Sequence, residues 1–490
     1  MILNIGILLG RITGFIRESI VASIYGISSQ ADTVILMLSV PDILVNILMG
    51  GALGAVLIPE FNRNPEYARR LVYQAIVVFG ILFLLLAILI YFKMEWLISI
   101  FAPGFGYDEF ERTVEAVGYV IWLLPLTVIA GVTTAFLQSR NQYMIPAMGT
   151  LIINVSIIFG LWVIRQVGGG VYVLSASVLF GGILRFVSQL VKIGDLKFTP
   201  LKSLNSLLIN KKLFLHYLQA VVSGSAILLF PVFARSQASY LDPGSLAVLN
   251  YSTKLIEFPL AITVTFLSVV LFPKLSKSYF ENPSDHSKIV KYGVQLTLFL
   301  SVAVSSALSS ISESYTSVVY GYGKIDSTNI QEISGLTEWG IWLLPLMGLS
   351  TFLTAVFNSR NNTFTPLIVN VFGLILFILI YKIGLYGYDL YAIIFSMLTS
   401  NLLMVLFLFL FLRIEGLSWL NTMLETRFSF LLLICSLSIC IICVKIQSFD
   451  LNNWVKIFIS ALVSSLLLVA AFLMRKEVRE QLMVKMKRND

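Results

Sequence analysis

The sequence predicts an all-α polytopic membrane protein of about fourteen transmembrane helices, arranged as two parallel six-helix lobes plus two C-terminal helices. Three observations predict it. Of 490 residues, 58% are hydrophobic and 12% charged, against roughly 25% charged in soluble domains. The mean hydropathy of +0.89 belongs to the whole length, not to one anchor. And a 26-residue segment of the first half recurs in the second.

Apolar stretches of about 20 residues are long enough to cross a bilayer. They fall at roughly 5–25, 33–58, 71–94, 116–137, 146–164 and 171–191, which make the first lobe (1–195). Those at roughly 213–235, 245–272, 290–311, 339–357, 366–384 and 388–412 make the second (196–413). The last two, roughly 428–446 and 454–474, precede a basic tail and complete a third segment, 414–490. No A-x-A-like site follows the first stretch, so no cleaved leader is expected.

Charge in the loops sets the orientation. With the N-terminus in the cytoplasm, the cytoplasmic loops hold Arg63, Arg69, Arg70, Arg140, the lysines between Lys192 and Lys212, Lys274, Lys277, Arg360, Arg413 and the tail. The opposite loops hold Asp108, Glu109, Glu111 and Glu115, then Glu313, Asp326, Glu332 and Glu338. By the positive-inside rule both termini are cytoplasmic. The same rule accounts for the pI of about 9.2, and with no basic patch interleaved with aromatics, no nucleic-acid partner is expected.

The recurring segment reads IWLLPLTVIAGVTTAFLQSRNQYMIP at 121–146 and IWLLPLMGLSTFLTAVFNSRNNTFTP at 341–366. Twelve of 26 positions are identical, where unrelated apolar sequence would share about two. Each copy has an inner proline (Pro125, Pro345), a Ser-Arg-Asn turn, and a proline opening the next helix (Pro146, Pro366). Both copies run the same way across the membrane, so the halves are parallel repeats about an axis along the membrane normal. Two such lobes flanking a cavity suit alternating access, and the chain reads as a transporter, not an enzyme.

Charged residues inside such helices are expensive, roughly 2.5–3.5 kcal/mol each at the helix centre, and mark functional sites. Helix 1 carries Arg11, Arg17 and Glu18, with Arg11 and Glu18 seven apart on one face; helix 2 carries Asp32 and Asp42. In NYSTKLIEFP (250–259), Lys254 and Glu257 share a face at i and i+3. Arg11, Arg17 and Lys254 would make a cationic vestibule suited to a diphosphate headgroup, since guanidinium forks match phosphate oxygens. Glu18, Asp32 and Glu257 would then orient or gate it. The plainer alternative is that these charges pair with one another and lock the lobes. Asp42 and Arg185 read as structural, and Arg235, at a helix end, is expected to snorkel. Three cysteines in one apolar helix (Cys435, Cys440, Cys443) read as small hydrophobes. His216 and His286 are isolated, and no metal site has the required ligand spacing.

GRITGFIRES (10–19), QADTV (30–34), GALGAVLIPEF (51–61), NYSTKLIEFP and LFPKLSK resemble the MurJ (MviN) lipid II flippases of the multidrug/oligosaccharidyl-lipid/polysaccharide exporter superfamily. With the IWLLPL and SRN repeats, the likeness covers essentially the whole chain. The resemblance implies a multi-pass protein of the bacterial cytoplasmic (inner) membrane that moves lipid II from the inner to the outer leaflet. It places the family's cavity arginines on Arg11 and Arg17, its acidic residue on Asp32, and its helix 8 arginine on Lys254. It also implies a polyprenyl-tail groove on helices 13 and 14. The chain departs from the family in helix 2, where Val45, Asn46 and Gly50 stand in place of two arginines and a glutamate. No cofactor is expected; drive would come from the membrane potential, about 2.3 kcal/mol per charge per 100 mV, or from a monovalent cation. Partners are lipid II or a related undecaprenyl-diphosphate-linked saccharide, and membrane lipids. A flippase for another such saccharide, of O-antigen type, is the alternative within transport. An integral-membrane glycosyltransferase and a non-transporting scaffold are the alternatives outside it.

Overall fold

A computed structural model describes residues 2–49, 52–63, 68–194, 215, 217, 221, 228–281, 283–414 and 426–473. Helices fill it, and no strand occurs among the described residues. In chain order they are α1 Ile2–Tyr25, α2 Ser29–Met49, α3 Ala52–Arg63, α4 Ala68–Phe92, α5 Met94–Phe101, α6 Tyr107–Val120, α7 Leu123–Ser139, α8 Met144–Val167, α9 Gly170–Ile193 and α10 Leu229–Ala238. Then come α11 Ser245–Leu260, α12 Phe266–Glu281, α13 Pro283–Ser310, α14 Ser312–Tyr320, α15 Ser327–Gly340, α16 Leu343–Ser359, α17 Phe364–Lys382, α18 Leu390–Ile414, α19 Thr426–Ser448 and α20 Asn453–Leu473.

Each predicted span meets a helix or a consecutive pair, save 213–235, which lies largely outside the described residues. Also outside them are Gly50, Gly51, the lysines from Lys197 to Lys212 and the basic tail beyond 473. Among the described residues, nine helices are long and apolar enough to cross a membrane, or ten with the bent pair α15–α16 taken as one span. That establishes an all-helical, membrane-spanning fold; the figure of fourteen remains a reading of the sequence.

The chain divides into two compact units, Met1–Asn250 and Tyr251–Asp490. In the first, α1 lies along α8, α8 along α9, α4 and α3 against α7, and α2 against α6. The α1–α8 approach depends on small residues, the usual route to close helix packing in a membrane. A Cβ at Gly10 would stand 3.2 Å from Thr150 Cβ, and one at Gly14 would stand 3.2 Å from Asn154 Nδ2. A core of Leu57, Phe61, Phe79, Phe83, Leu124 and Val128 joins α3, α4 and α7. In the second unit, α13 packs on α16 and α19, and α17 on α18. Cys443 is buried there with Ala303, Ala307 and Ile439, and the three cysteines are free thiols.

The repeat is visible to the residue. The helices α6 and α7 become α15 and α16 at a constant offset, each pair interrupted at an Ile-Trp (121–122, 341–342). The inner prolines explain the break. A proline has no N–H to return to the carbonyl four residues earlier. That carbonyl takes a tighter bond instead, Leu124 N–H to Ile121 O at 3.0 Å and Leu344 N–H to Ile341 O at 3.0 Å. The bend in the second copy is 45°. After α7 and α16 the chain turns through left-handed Asn141 (φ 58°) and Asn361 (φ 60°), a conformation asparagine tolerates better than most residues. The helix that follows carries proline at its third residue in both copies, within the first turn where proline is accommodated.

Pro259 has a different consequence. The helix α11 passes into a π-helical turn, Ala261–Thr265, just beyond it. There the Thr263 hydroxyl donates to the Pro259 carbonyl at 2.7 Å.

Candidate functional site

Arg17, Glu18 and Arg235 of the first unit form one connected network through Asn154 and Asn250. Arg17, on α1, meets its neighbour Glu18 at 2.6 Å (Nη2 to Oε1), with 14% of the Arg17 side chain exposed. Its Nη1 donates to Asn154 Oδ1 on α8 at 3.1 Å. Asn154 Nδ2 in turn donates to the Gly10 carbonyl at 3.0 Å, a reach that exists because Gly10 and Gly14 let α8 lie so close. On the other side, Asn250 Nδ2 donates to Glu18 Oε2 at 3.2 Å. Buried Arg235, on α10, donates from Nη2 to Asn250 Oδ1 at 3.2 Å. Arg235 therefore does not snorkel: a polar partner inside the protein holds it where a helix-end arginine would otherwise reach for the interface. The Arg17 Nε is buried with no hydrogen-bond partner, so one donor of a buried guanidinium stays unused.

The structure separates Arg11 from Glu18 by environment. Helical spacing puts them on one face, yet Arg11 is exposed and Glu18 is buried. Asp42 is exposed on α2, and its charge acts through space on both Arg17 and Arg185. Arg185, on α9, crosses the space above Gly149, where a Cβ would come 2.7 Å from its Nε. Its Nε, too, is buried without a hydrogen-bond partner.

Asp32 is the most enclosed of the acidic candidates, 2% exposed. Its carboxylate accepts the Gly244 N–H at 2.7 Å and the Ala247 N–H at 2.6 Å. It thereby caps the first turn of α11 from a residue more than two hundred positions earlier. A carboxylate there meets unsatisfied N–H groups and the positive end of the helix dipole. The reading of the sequence gives Asp32 a coupling role; the geometry shows it also as the residue that ties α2 to the start of α11.

In the second unit, Lys254 Nζ meets Glu257 Oε2 at 2.6 Å, as the i, i+3 spacing requires, with 28% and 46% of the side chains exposed. Around this pair Tyr320 donates to the Tyr251 carbonyl at 3.2 Å and Tyr315 to the Leu255 carbonyl at 3.1 Å. These bonds fix the helix that carries the pair and leave the pair itself to solvent. Burial pushes the Tyr315 phenol above its ordinary range, so it stays a donor.

Reading the sequence misses Asn154, Asn250 and Arg235 as members of the network. Asn154 had a usable signal, a lone amide in the apolar run 146–164. Asn250 opens the NYSTKLIEFP motif but is uncharged. In helix 2, where the sequence lacks the family's charges, Val45 is half-buried and Asn46 exposed, while position 50 lies outside the described residues. No group of three or more His, Cys, Asp or Glu side chains able to hold a metal occurs among the described residues.

Comparison with known proteins agrees with this architecture. The family model described as lipid II flippase MurJ matches residues 21–464. The lipid II flippase MurJ of Burkholderia cenocepacia is 26% identical over 375 residues, covering 73% of this chain and 72% of that protein. Among solved structures, a lipid II flippase MurJ in an inward closed conformation superposes with a TM-score of 0.79 at 20% identity, covering 96% of this chain and 98% of that one. An inward-facing multidrug resistance MATE family transporter of the MOP superfamily superposes at 0.70 and 15% identity, covering 84% and 96%. These two likenesses carry the fold, and the family model, spanning most of the length, carries the kinship: this multi-pass membrane protein belongs to the lipid II flippase MurJ family.

Proposed function

We propose that the protein is a lipid II flippase, a transporter that carries the undecaprenyl-diphosphate-linked peptidoglycan precursor from the inner to the outer leaflet of the bacterial cytoplasmic membrane. The observation that carries this reading is the family match across 21–464. Alternating access is the mechanism: lobes 1–195 and 196–413 expose a cationic vestibule first to one face, then to the other. The last two helices, α19 and α20, hold the polyprenyl tail, and both termini lie in the cytoplasm.

Arg11, Arg17 and Lys254 bind the diphosphate and its sugar. Exposed Arg11 meets the headgroup first. Arg17, already turned by Glu18 and Asn154, presents its charge in a fixed orientation. Lys254 exchanges Glu257 for a phosphate oxygen; its point charge replaces the bidentate fork an arginine would give. Glu18 and Glu257 gate these steps by holding Arg17 and Lys254 when no substrate is present, and Asp32 couples them through its bonds to the start of α11. Membrane potential or a monovalent cation gradient supplies the drive, and no cofactor takes part.

The test is replacement of a depleted lipid II flippase in living cells, read by labelling lipid II headgroups at the outer surface. The native chain is expected to restore growth and labelling. Arg17→Ala, present in the membrane at the native level, is expected to lose both. Full restoration by Arg17→Ala would overturn these roles, and failure of the native chain would overturn the cargo.

A further inference from the structure

Within the first unit lies a cavity of about 440 Å³ whose lining includes none of the charged network. Its walls come from the end of α1 (Tyr25), the start of α2 (Gln30), the α6 face (Arg112, Glu115, Tyr119) and the start of α9 (Gly169 to Tyr172). The loop charges assign this end of the helices to the exterior.

Its polar groups are arranged for a ligand carrying both charges. Arg112 and Glu115 lie three residues apart on one helix and line the same cavity, yet no ion pair joins them: the ion pairs among the described residues lie elsewhere. Their side-chain hydrogen bonds go to neutral groups instead, with Glu109 acting on Arg112 through space. The hydroxyls of Tyr119 and Tyr172 both donate to Glu115 Oε1, at 2.8 and 3.1 Å, and their rings stand 5.2 Å apart. Arg112 Nε donates to the Asp108 carbonyl at 3.0 Å, and its Nη2 reaches Ser29 Oγ at 3.5 Å. Tyrosine rings beside a carboxylate attract an ammonium. An arginine beside a helix start attracts an anion, and α9 begins at Gly170, after Gly169, with no side-chain cap. The Tyr25 hydroxyl is buried at this wall with no hydrogen-bond partner.

We infer that this outer cavity binds a small zwitterion, an ammonium linked to a phosphate or carboxylate, as in an aminophospholipid headgroup or a free amino compound. The ammonium sits at Glu115 among the tyrosines; the anion faces Arg112 and the first amides of α9. The site is independent of the transport reading.

The test uses the purified full-length protein and calorimetric titration with phosphoethanolamine. Saturable binding is expected, at least tenfold tighter than for ethanolamine or glycerol phosphate, which carry one charge each. Glu115→Gln and Arg112→Gln, both at exposed positions, are each expected to weaken it at least tenfold, and Tyr119→Phe less. Absence of saturable binding, equal binding of ethanolamine alone, or unchanged binding in both charge variants would overturn the inference. Repeating the titration in nanodiscs separates the sources. Competition by phosphatidylethanolamine but not phosphatidylglycerol assigns the site to a lipid headgroup; equal binding in both assigns it to a soluble zwitterion.

Discussion

Two ion pairs of the same length stand in opposite circumstances. Arg17–Glu18 and Lys254–Glu257 both close at 2.6 Å. The first is buried and bonded further, through Asn154 to the Gly10 carbonyl and through Asn250 to Arg235. The second is a local i, i+3 contact, partly in solvent. A buried pair is a fixed element, because removing one partner strands a charge in low dielectric. A solvated pair is an exchangeable one, because water or a phosphate oxygen can replace the carboxylate at little cost. The pairs therefore differ in kind: the first holds a guanidinium in place, and the second leaves an ammonium open to exchange.

The comparison can be broken at its strong end. Glu18→Ala leaves Arg17 buried without its counter-charge, and about 3–5 kcal/mol of stability should be lost. Thermal unfolding of the purified protein would show it as a large fall in midpoint; a shift within error would mean the network is not a fixed element. Next in size is Asp32→Ala. It removes two charge-assisted bonds to the start of α11, at about 1.5–3 kcal/mol for a bond of this kind. Asp32→Asn, which keeps an acceptor but not the charge, should recover part of that loss in the same measurement. The smallest structural effect belongs to Glu257→Gln, within about 1 kcal/mol, so its melting curve should overlay the native one. Its effect on headgroup exposure at the cell surface should nonetheless be visible, because the freed ammonium would hold substrate too long.

Much of the architecture was legible because it rests on local rules. Apolar length placed the helices, and the repeated SRN motif foretold a turn found at matching residues in both halves, while the break at each Ile-Trp was not foretold. What each copy does with its turn was not legible. Arg140 is exposed, lying over Phe136 of its own helix at 5.5 Å. Arg360 is half-buried, over Tyr279 at 5.7 Å, and donates from Nε to His286 Nε2 at 3.1 Å. Identical local sequence fixed the backbone, and distant residues decided the side chain. The site follows the same division. Lys254 and Glu257 could be paired from spacing alone. Asp32 could not be assigned its partners, because they are backbone N–H groups of Gly244 and Ala247, which carry no side-chain signature. Asn154 and Asn250 reach the network across long sequence separations that no periodicity encodes.

The close lie of α8 on α1 has a consequence in genetics. At Gly10 and Gly14 the space a side chain would fill is already taken by Thr150 and Asn154. Every single-base change of a glycine codon to another amino acid adds at least one carbon, so the missense supply at these positions runs toward crowding, at about 1–3 kcal/mol where the neighbour does not give way. Neighbouring Arg11, exposed on the same helix, can be varied without such a penalty. The first helix thus mixes codons whose change crowds its packing with codons, like that of Arg11, whose change touches only the cavity chemistry, and the crowding ones are those that set the position of Arg17.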